Sequence, residues 1–330
     1  MSMEAPKQRE SVESLATKLA NEFDTDVFLY NSPTTRQYDD EIVAACLERE
    51  RRSKVLLILV SEGGDPDAAY RIARCFQDHY DKFTCLVPSY CKSAGTLITV
   101  GAHELVMTDF GELGPLDIQL VKKDELWETQ SGLTVMSALD ALKEKSFSTF
   151  EHYFMEIKKR SRDTVTFKTA AEIAIKLTAG LFSPIFQQID PMHVGEASRA
   201  QAIAQHYGLR LAFCGKNISA ENVDALISQY PAHGFVVDRT EAASLFNKVR
   251  KPNAAEEQLI KVLGDSASDI LRETQTIRRF LSGEKRGVEN VPTNGAAESS
   301  EESKSGEASA DAGEGPERQA VVRRSAAASE

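Results

Sequence analysis

The chain reads as an α/β protein whose parallel sheet is covered by helices on both faces. Three observations predict this. The runs Val55–Val60, Phe83–Val87 and Glu104–Met107 are almost wholly apolar and of strand length. Segments with helical spacing separate them, and the connections are short. A strand buried on both sides needs such a continuous apolar run, and helix-connected parallel strands bury both sides. Crossovers of this kind are almost always right-handed.

In chain order, Glu10–Asn21 places Val12, Leu15, Leu19 and Ala20 along one side of a helix. Asp26–Tyr30 is a short strand closed by the turn residues Asn31-Ser-Pro-Thr, and Tyr38–Arg52 spaces Ile42, Val43, Cys46 and Leu47 as a helix does. Strand Val55–Val60, helix Asp67–His79, strand Phe83–Val87, helix Ser93–Gly101 and strand Glu104–Met107 follow. After Gly114 the rhythm changes. Val121–Gly132 is polar and irregular, and helices are predicted over Val135–Arg160, Thr169–Leu181, Glu196–Tyr207 and Ala220–Gln229. A last strand is predicted at Gly234–Val237, then a helix over Gln258–Phe280 with a break at Gly264. From Gly287 the chain is Glu, Ser, Ala and Gly with almost no large apolar residue, which predicts disorder. The resulting division is an N-terminal helix (1–25), an α/β domain (26–252), a C-terminal helix (253–286) and an acidic tail (287–330).

A net charge of −11 argues against nucleic acid or an anionic membrane as the main partner. No stretch approaches the roughly 20 consecutive apolar residues of a bilayer span, so no integral membrane segment is predicted. The charged opening Met-Ser-Met-Glu-Ala-Pro-Lys lacks a signal core, and the five cysteines form no C-x-x-C pair. A cytoplasmic protein with reduced thiols is the expectation. Neither metal-ligand spacing nor a dinucleotide or phosphate-loop fingerprint is present, so no metal and no cofactor are predicted.

Two turns carry chemistry. Gly63-Gly64 follows a buried strand and precedes a helix capped by Asp65 or Asp67. Glycine admits positive φ and close approach of a substrate. Outward-facing amides there can hold an oxyanion, and one such donor stabilises a transition state by about 3 kcal/mol. The plain alternative is a tight turn. Ser93 opens a helix after the strand ending at Val87, at the carboxyl edge where open α/β sheets bind ligands. Its plain alternative is an N-cap. Two such turns at consecutive strand ends favour a serine facing an oxyanion pocket built from the amides of the Gly63-Gly64 pair.

The segments Ser61-Glu-Gly-Gly-Asp-Pro-Asp-Ala-Ala-Tyr, Cys91-Lys-Ser-Ala-Gly-Thr-Leu and Glu112-Leu-Gly-Pro-Leu-Asp-Ile-Gln resemble the Clp-protease/crotonase superfold. The resemblance is to its serine dehydrogenase proteinase (SDH) branch, related to SppA-type signal peptide peptidases. Thr169-Ala-Ala-Glu-Ile-Ala and Tyr230-Pro-Ala-His-Gly-Phe-Val-Val-Asp-Arg extend it over roughly Asp26–Pro252. It implies a spiral of ββα units, a nucleophile at Ser93, an oxyanion hole near Gly64 and Ala94, and a homo-oligomer.

The base does not carry over with it. Where Clp proteases place a catalytic histidine, this chain has Leu113-Gly-Pro-Leu-Asp-Ile-Gln. SppA-type enzymes use a lysine further along; Lys143 and Lys145 fall near that window, and Lys122 and Lys123 lie closer to Ser93. Lys145 is the base candidate, although a lysine needs burial or a neighbouring cation to lose its proton near neutrality. Asp117 could orient a base or bind a peptide N–H, or simply cap its loop. His79, His103, His152, His193, His206 and His233 stand in no catalytic spacing, and Cys91 is a rival nucleophile only if exposed. The expected function is a serine peptidase or hydrolase acting on a peptide or protein. An acyl-CoA enzyme of crotonase type and a non-catalytic Clp-fold scaffold are the rivals.

Overall fold

The computed structural model describes residues 11–116, 119–121, 129–271 and 275–282. The predicted acidic tail, Gly287–Glu330, lies outside them, as do Asp117, Lys122 and Lys123.

The chain opens with α1 (Val12–Phe23), β1 (Thr25–Asn31), α2 (Arg36–Leu47), β2 (Lys54–Val60), α3 (Pro66–His79), β3 (Lys82–Val87) and β4 (Tyr90–Cys91). Then come α4 (Ala94–Val100), β5 (Glu104–Met107), β6 (Glu112–Leu113), β7 (Gln119–Val121) and β8 (Thr129–Ser131). The rest is α5 (Gly132–Arg160), α6 (Phe167–Phe186), α7 (Pro191–Gly215), α8 (Ala220–Ser228), α9 (Arg239–Leu245), β9 (Val249–Arg250), α10 (Ala254–Leu263), α11 (Asp265–Ser268) and β10 (Ile277–Phe280).

The main sheet has six strands in the order β10-β1-β2-β3-β5-β9, all parallel except β10. Alternate residues feed two cores, as strand geometry requires. Phe28, Tyr30, Val55, Leu57 and Leu59 face one side with α2, α3 and α4. Val27, Leu29, Leu56 and Ile58 face the other, covered by α1 and α10. A second, smaller layer runs past the carboxyl ends of these strands. There β4 pairs with β6, Ser61 bridges Cys91, and Leu113 bridges Val237. Strands β3 and β5 are each followed by a short second strand, β4 and β6, and β2 by the Ser61 bridge, in keeping with the expected ββα unit.

The first half follows the sequence closely, with each predicted element present to within a few residues. The C-terminal region does not. Residues 253–286 are no single helix: α10 ends at Gly264, whose φ of 53° leaves the helical region, and Ile277–Phe280 is a strand antiparallel to β1. Gly234–Val237 contributes only the bridge at Val237, while the last parallel strand is Val249–Arg250. Helix α6 is long and apolar enough to cross a membrane by length and composition, although it carries Lys168, Glu172 and Lys176. It packs along α5, with Phe154 and Phe167 edge to face at 4.7 Å.

One buried ion pair closes the sheet at its β10 edge. Arg49 donates to Asp26 at 3.0 Å and to the Ser282 carbonyl, while the Tyr80 hydroxyl donates to Asp26 at 3.0 Å. Arg49 also stacks over Phe280, 3.7 Å from the ring centroid. Arg49→Met strands a buried carboxylate, so it should destabilise the fold by about 3–5 kcal/mol in urea titration. Arg49→Met with Asp26→Leu should recover much of that.

At the opposite edge, Glu104 joins Lys82 (2.6 Å) to Arg250 (3.0 Å). Burial alone would raise the Glu104 carboxyl, but the two cations outweigh it and hold it below 4.5. A depressed carboxyl stabilises the fold above its unfolded value and loses that contribution as pH falls. Stability should therefore drop below about pH 4.5, and thermal unfolding of Glu104→Gln should show a flatter fall there.

Candidate active site

The sheet register places the two turns side by side. Ile58 of β2 is level with Leu86 of β3, so the strands end together and their exit loops meet at one edge. Across that edge Ser61 donates its N–H to the Tyr90 carbonyl, and the Lys92 N–H returns to the Ser61 carbonyl, both at 2.9 Å.

Gly63 and Gly64 hold φ of 102° and 131°, which side-chain-bearing residues rarely adopt. Space is forbidden there as well. A Cβ on Gly63 would lie 2.8 Å from both the Lys92 carbonyl oxygen and Ser93 Cβ, and one on Gly64 would lie 2.4 Å from the Thr34 carbonyl oxygen. Asp65 then caps α3, its carboxylate accepting from the Asp67 N–H at 2.7 Å.

Ser93 sits at the N-cap position of α4, yet its side chain does not cap the helix. The plain alternative therefore describes its position and not its hydroxyl. Its φ of 52° and ψ of −119° are a strained combination for serine, of a kind that costs about 1–3 kcal/mol and persists only where surroundings enforce it. Ser93, Ala94 and Gly64 line one cavity together with the apolar side chains of Pro66, Leu97, Leu116 and Ala204. The Ala94 nitrogen lies 3.1 Å from where a Gly63 Cβ would be, so the two loops are in backbone contact.

The expected oxyanion donors separate on inspection. The Gly63 N–H donates to Ser61 Oγ at 3.1 Å, which commits it to holding the turn. No such bond takes the Gly64 N–H among the described residues. The Ala94 N–H belongs to the first turn of α4, where no intrahelical acceptor exists.

Lys92, next to Ser93 in the chain, is not singled out by the sequence, yet it is buried and fully engaged. It is 2 % exposed, and its Nζ donates to the carbonyls of Leu113 (3.0 Å) and Phe235 (3.1 Å). Glu112 pairs with it at 3.3 Å. A charge adjacent to the serine thus pins β4 to β6 and to the segment before Val237. An isolated lysine in a turn gives no periodic signal, so only the fold reveals this role.

The expected base is not brought to the cavity within one chain. Lys145 is exposed on α5, and Lys143 pairs with Asp140 at 3.0 Å. Among the described residues neither a lysine nor a histidine lines the cavity. His79 Nδ1 lies 2.7 Å from the Cys75 carbonyl, and His103 Nδ1 accepts from the Phe83 N–H at 3.1 Å, so both serve the scaffold. Cys91 is fully buried, and burial raises its thiol well above the usual range. It is no rival nucleophile.

Comparison with known proteins follows from this geometry. Residues 34–186 match the family described as ClpP-like SDH-type serine proteinase. An uncharacterized protein of Methanocaldococcus jannaschii is 27% identical over 161 residues, covering 45% of this chain and 52% of the relative. A second from that organism is 34% identical over 86 residues, covering 26% of this chain and 30% of the relative. The chain thus spans about half, or less, of the length of the curated relatives it matches. Two solved mutants of the membrane-bound stomatin-specific protease 1510-N align with it. The one in complex with a substrate peptide gives a TM-score of 0.38 and 14% identity over 78% of this chain and 87% of that one. The other gives 0.35 and 13% over 74% and 88%.

The close packing makes a direct prediction. Gly64→Ala should lower stability by roughly 1–3 kcal/mol in urea titration, because it adds strain at positive φ to a backbone clash. Ala68→Gly, in the helix beside it, should cost only about 1 kcal/mol.

Proposed function

We propose that the chain is a member of the ClpP-like SDH-type serine proteinase family, whose model matches residues 34–186, and that it is a serine peptidase cleaving peptides by acyl transfer. The observation that carries this is the strained, non-capping Ser93 in a cavity that Gly64 and Ala94 also line. Ser93 Oγ attacks the scissile carbonyl carbon. The Gly64 and Ala94 N–H groups receive the charge that develops on the carbonyl oxygen. The scissile C–N bond then breaks, the amine leaves with the proton the base took from Ser93, and water hydrolyses the remaining acyl ester to free the serine.

Lys145 is the base we assign, supplied by a second copy of the chain. Helices α5 and α6 expose Phe147, Met155, Phe167, Ile175, Leu177 and Leu181, a large apolar face for self-association. Burying Lys145 in such a contact would desolvate its ammonium and favour the neutral amine that a base requires. Asp117, which follows Leu116 in the sequence, is assigned to orient that base or an incoming peptide N–H. We place the protein in the cytoplasm, in keeping with its free thiols.

An alkyl fluorophosphonate should label Ser93, and Ser93→Ala should abolish both labelling and peptide cleavage. Loss of the base should cost about 10²- to 10⁴-fold in rate, so Lys145→Ala should fall by that factor. Mixing Ser93→Ala with Lys145→Ala should restore turnover. A fully active Lys145→Ala removes that lysine from the mechanism.

A further inference from the structure

The cavity beside Ser93 has a size and a chemistry that select a substrate. Its volume is about 10 Å³, close to the space swept by one water-sized sphere. The methyl group of alanine is of that size; an isobutyl or benzyl group is several times larger. Beyond Gly64, Ser93 and Ala94, the described residues that wall it are Pro66, Leu97, Leu116 and Ala204, and none of these four compensates a buried charge.

These walls do not yield. Leu97 is 2 % exposed and Leu116 and Ala204 are each 3 % exposed, while Pro66 and Ala204 have no side-chain rotation to offer. The Leu116 N–H donates to the Leu226 carbonyl at 2.9 Å. Helix α7, which carries Ala204, is clamped to α3. Tyr207 donates to Asp67 at 2.8 Å, its ring stacks on Tyr70 at 4.3 Å, and Gln77 Nε2 donates to the Leu211 carbonyl at 3.0 Å.

Resting on the assignment of Ser93 as nucleophile, we infer that this cavity is the specificity pocket for the residue on the acyl side of the scissile bond. It admits glycine or alanine and excludes larger or charged side chains. When the scissile carbonyl carbon lies against Ser93 Oγ, the side chain one bond away has this cavity as its neighbour. Leu116 and Ala204 set its depth.

The test uses the full chain and two probes. A plain alkyl fluorophosphonate reports the serine alone. Peptidyl diphenyl phosphonates carrying Gly, Ala, Val, Leu or Phe next to phosphorus report the pocket. In the native protein, Ala should label Ser93 about 100-fold faster than Leu or Phe, the discrimination a few methylenes produce. Leu116→Ala should raise the Leu-to-Ala ratio by about tenfold or more, and Ala204→Val should slow the Ala probe by a similar factor. Circular dichroism establishes that each variant is folded, and if Leu116→Ala is not, Ala204→Val decides alone. Leu or Phe reacting as fast as Ala, with the fluorophosphonate still labelling Ser93, overturns the pocket and leaves the nucleophile standing. Failure of the fluorophosphonate itself overturns both.

Discussion

The site depends on backbone pressed against backbone. The turn after β2 lies so close to the turn after β3 that no side chain fits at Gly63, and Gly64 is equally tight against Thr34. Parallel strands ending level, with right-handed crossovers, deliver both turns to the same edge. The glycines let them touch. Any larger residue would part the loops and separate the serine from the amides beside it.

Contact of this kind has an energetic consequence. Ser93 is held in a conformation that serine avoids, and a short helix alone would not enforce it. The enforcement comes from the two residues that precede it. Cys91 is locked in the small sheet and Lys92 is anchored by two carbonyls and a carboxylate. The charge of Lys92 is taken up by the scaffold, and that fixes the backbone immediately before Ser93. Strain at Ser93 and burial at Lys92 are two sides of one arrangement.

The strands and helices up to Met107 were legible in the sequence because apolar runs and helical spacing are strong signals when both faces of a sheet are buried. Asp65 as cap, Gly63-Gly64 as a positive-φ turn and Ser93 at a helix start were legible for the same reason: each is a local rule. The C-terminal strand was not. Ile277-Arg-Arg-Phe carries two charges that an edge strand tolerates, with Arg278 reaching Glu41 and Arg279 reaching Glu13. Lys92 was invisible because its meaning lies in carbonyls contributed by distant residues. The base could not be read either, since Lys145 is exposed on α5 and is not among the described residues that line the cavity.

The central claim is that Ser93 Oγ and the Gly64 and Ala94 amides converge on one reacting carbonyl, the hydroxyl on its carbon and the amides on its oxygen. A crystal structure with a peptidyl boronate measures this directly, because boron bonded to serine becomes tetrahedral and mimics the attacked carbonyl. The account predicts boron bonded to Ser93 Oγ, with one boronate oxygen about 2.7–3.1 Å from both amide nitrogens. A boronate oxygen turned to solvent, or a boronate attached elsewhere while Ser93 stays free, would contradict it.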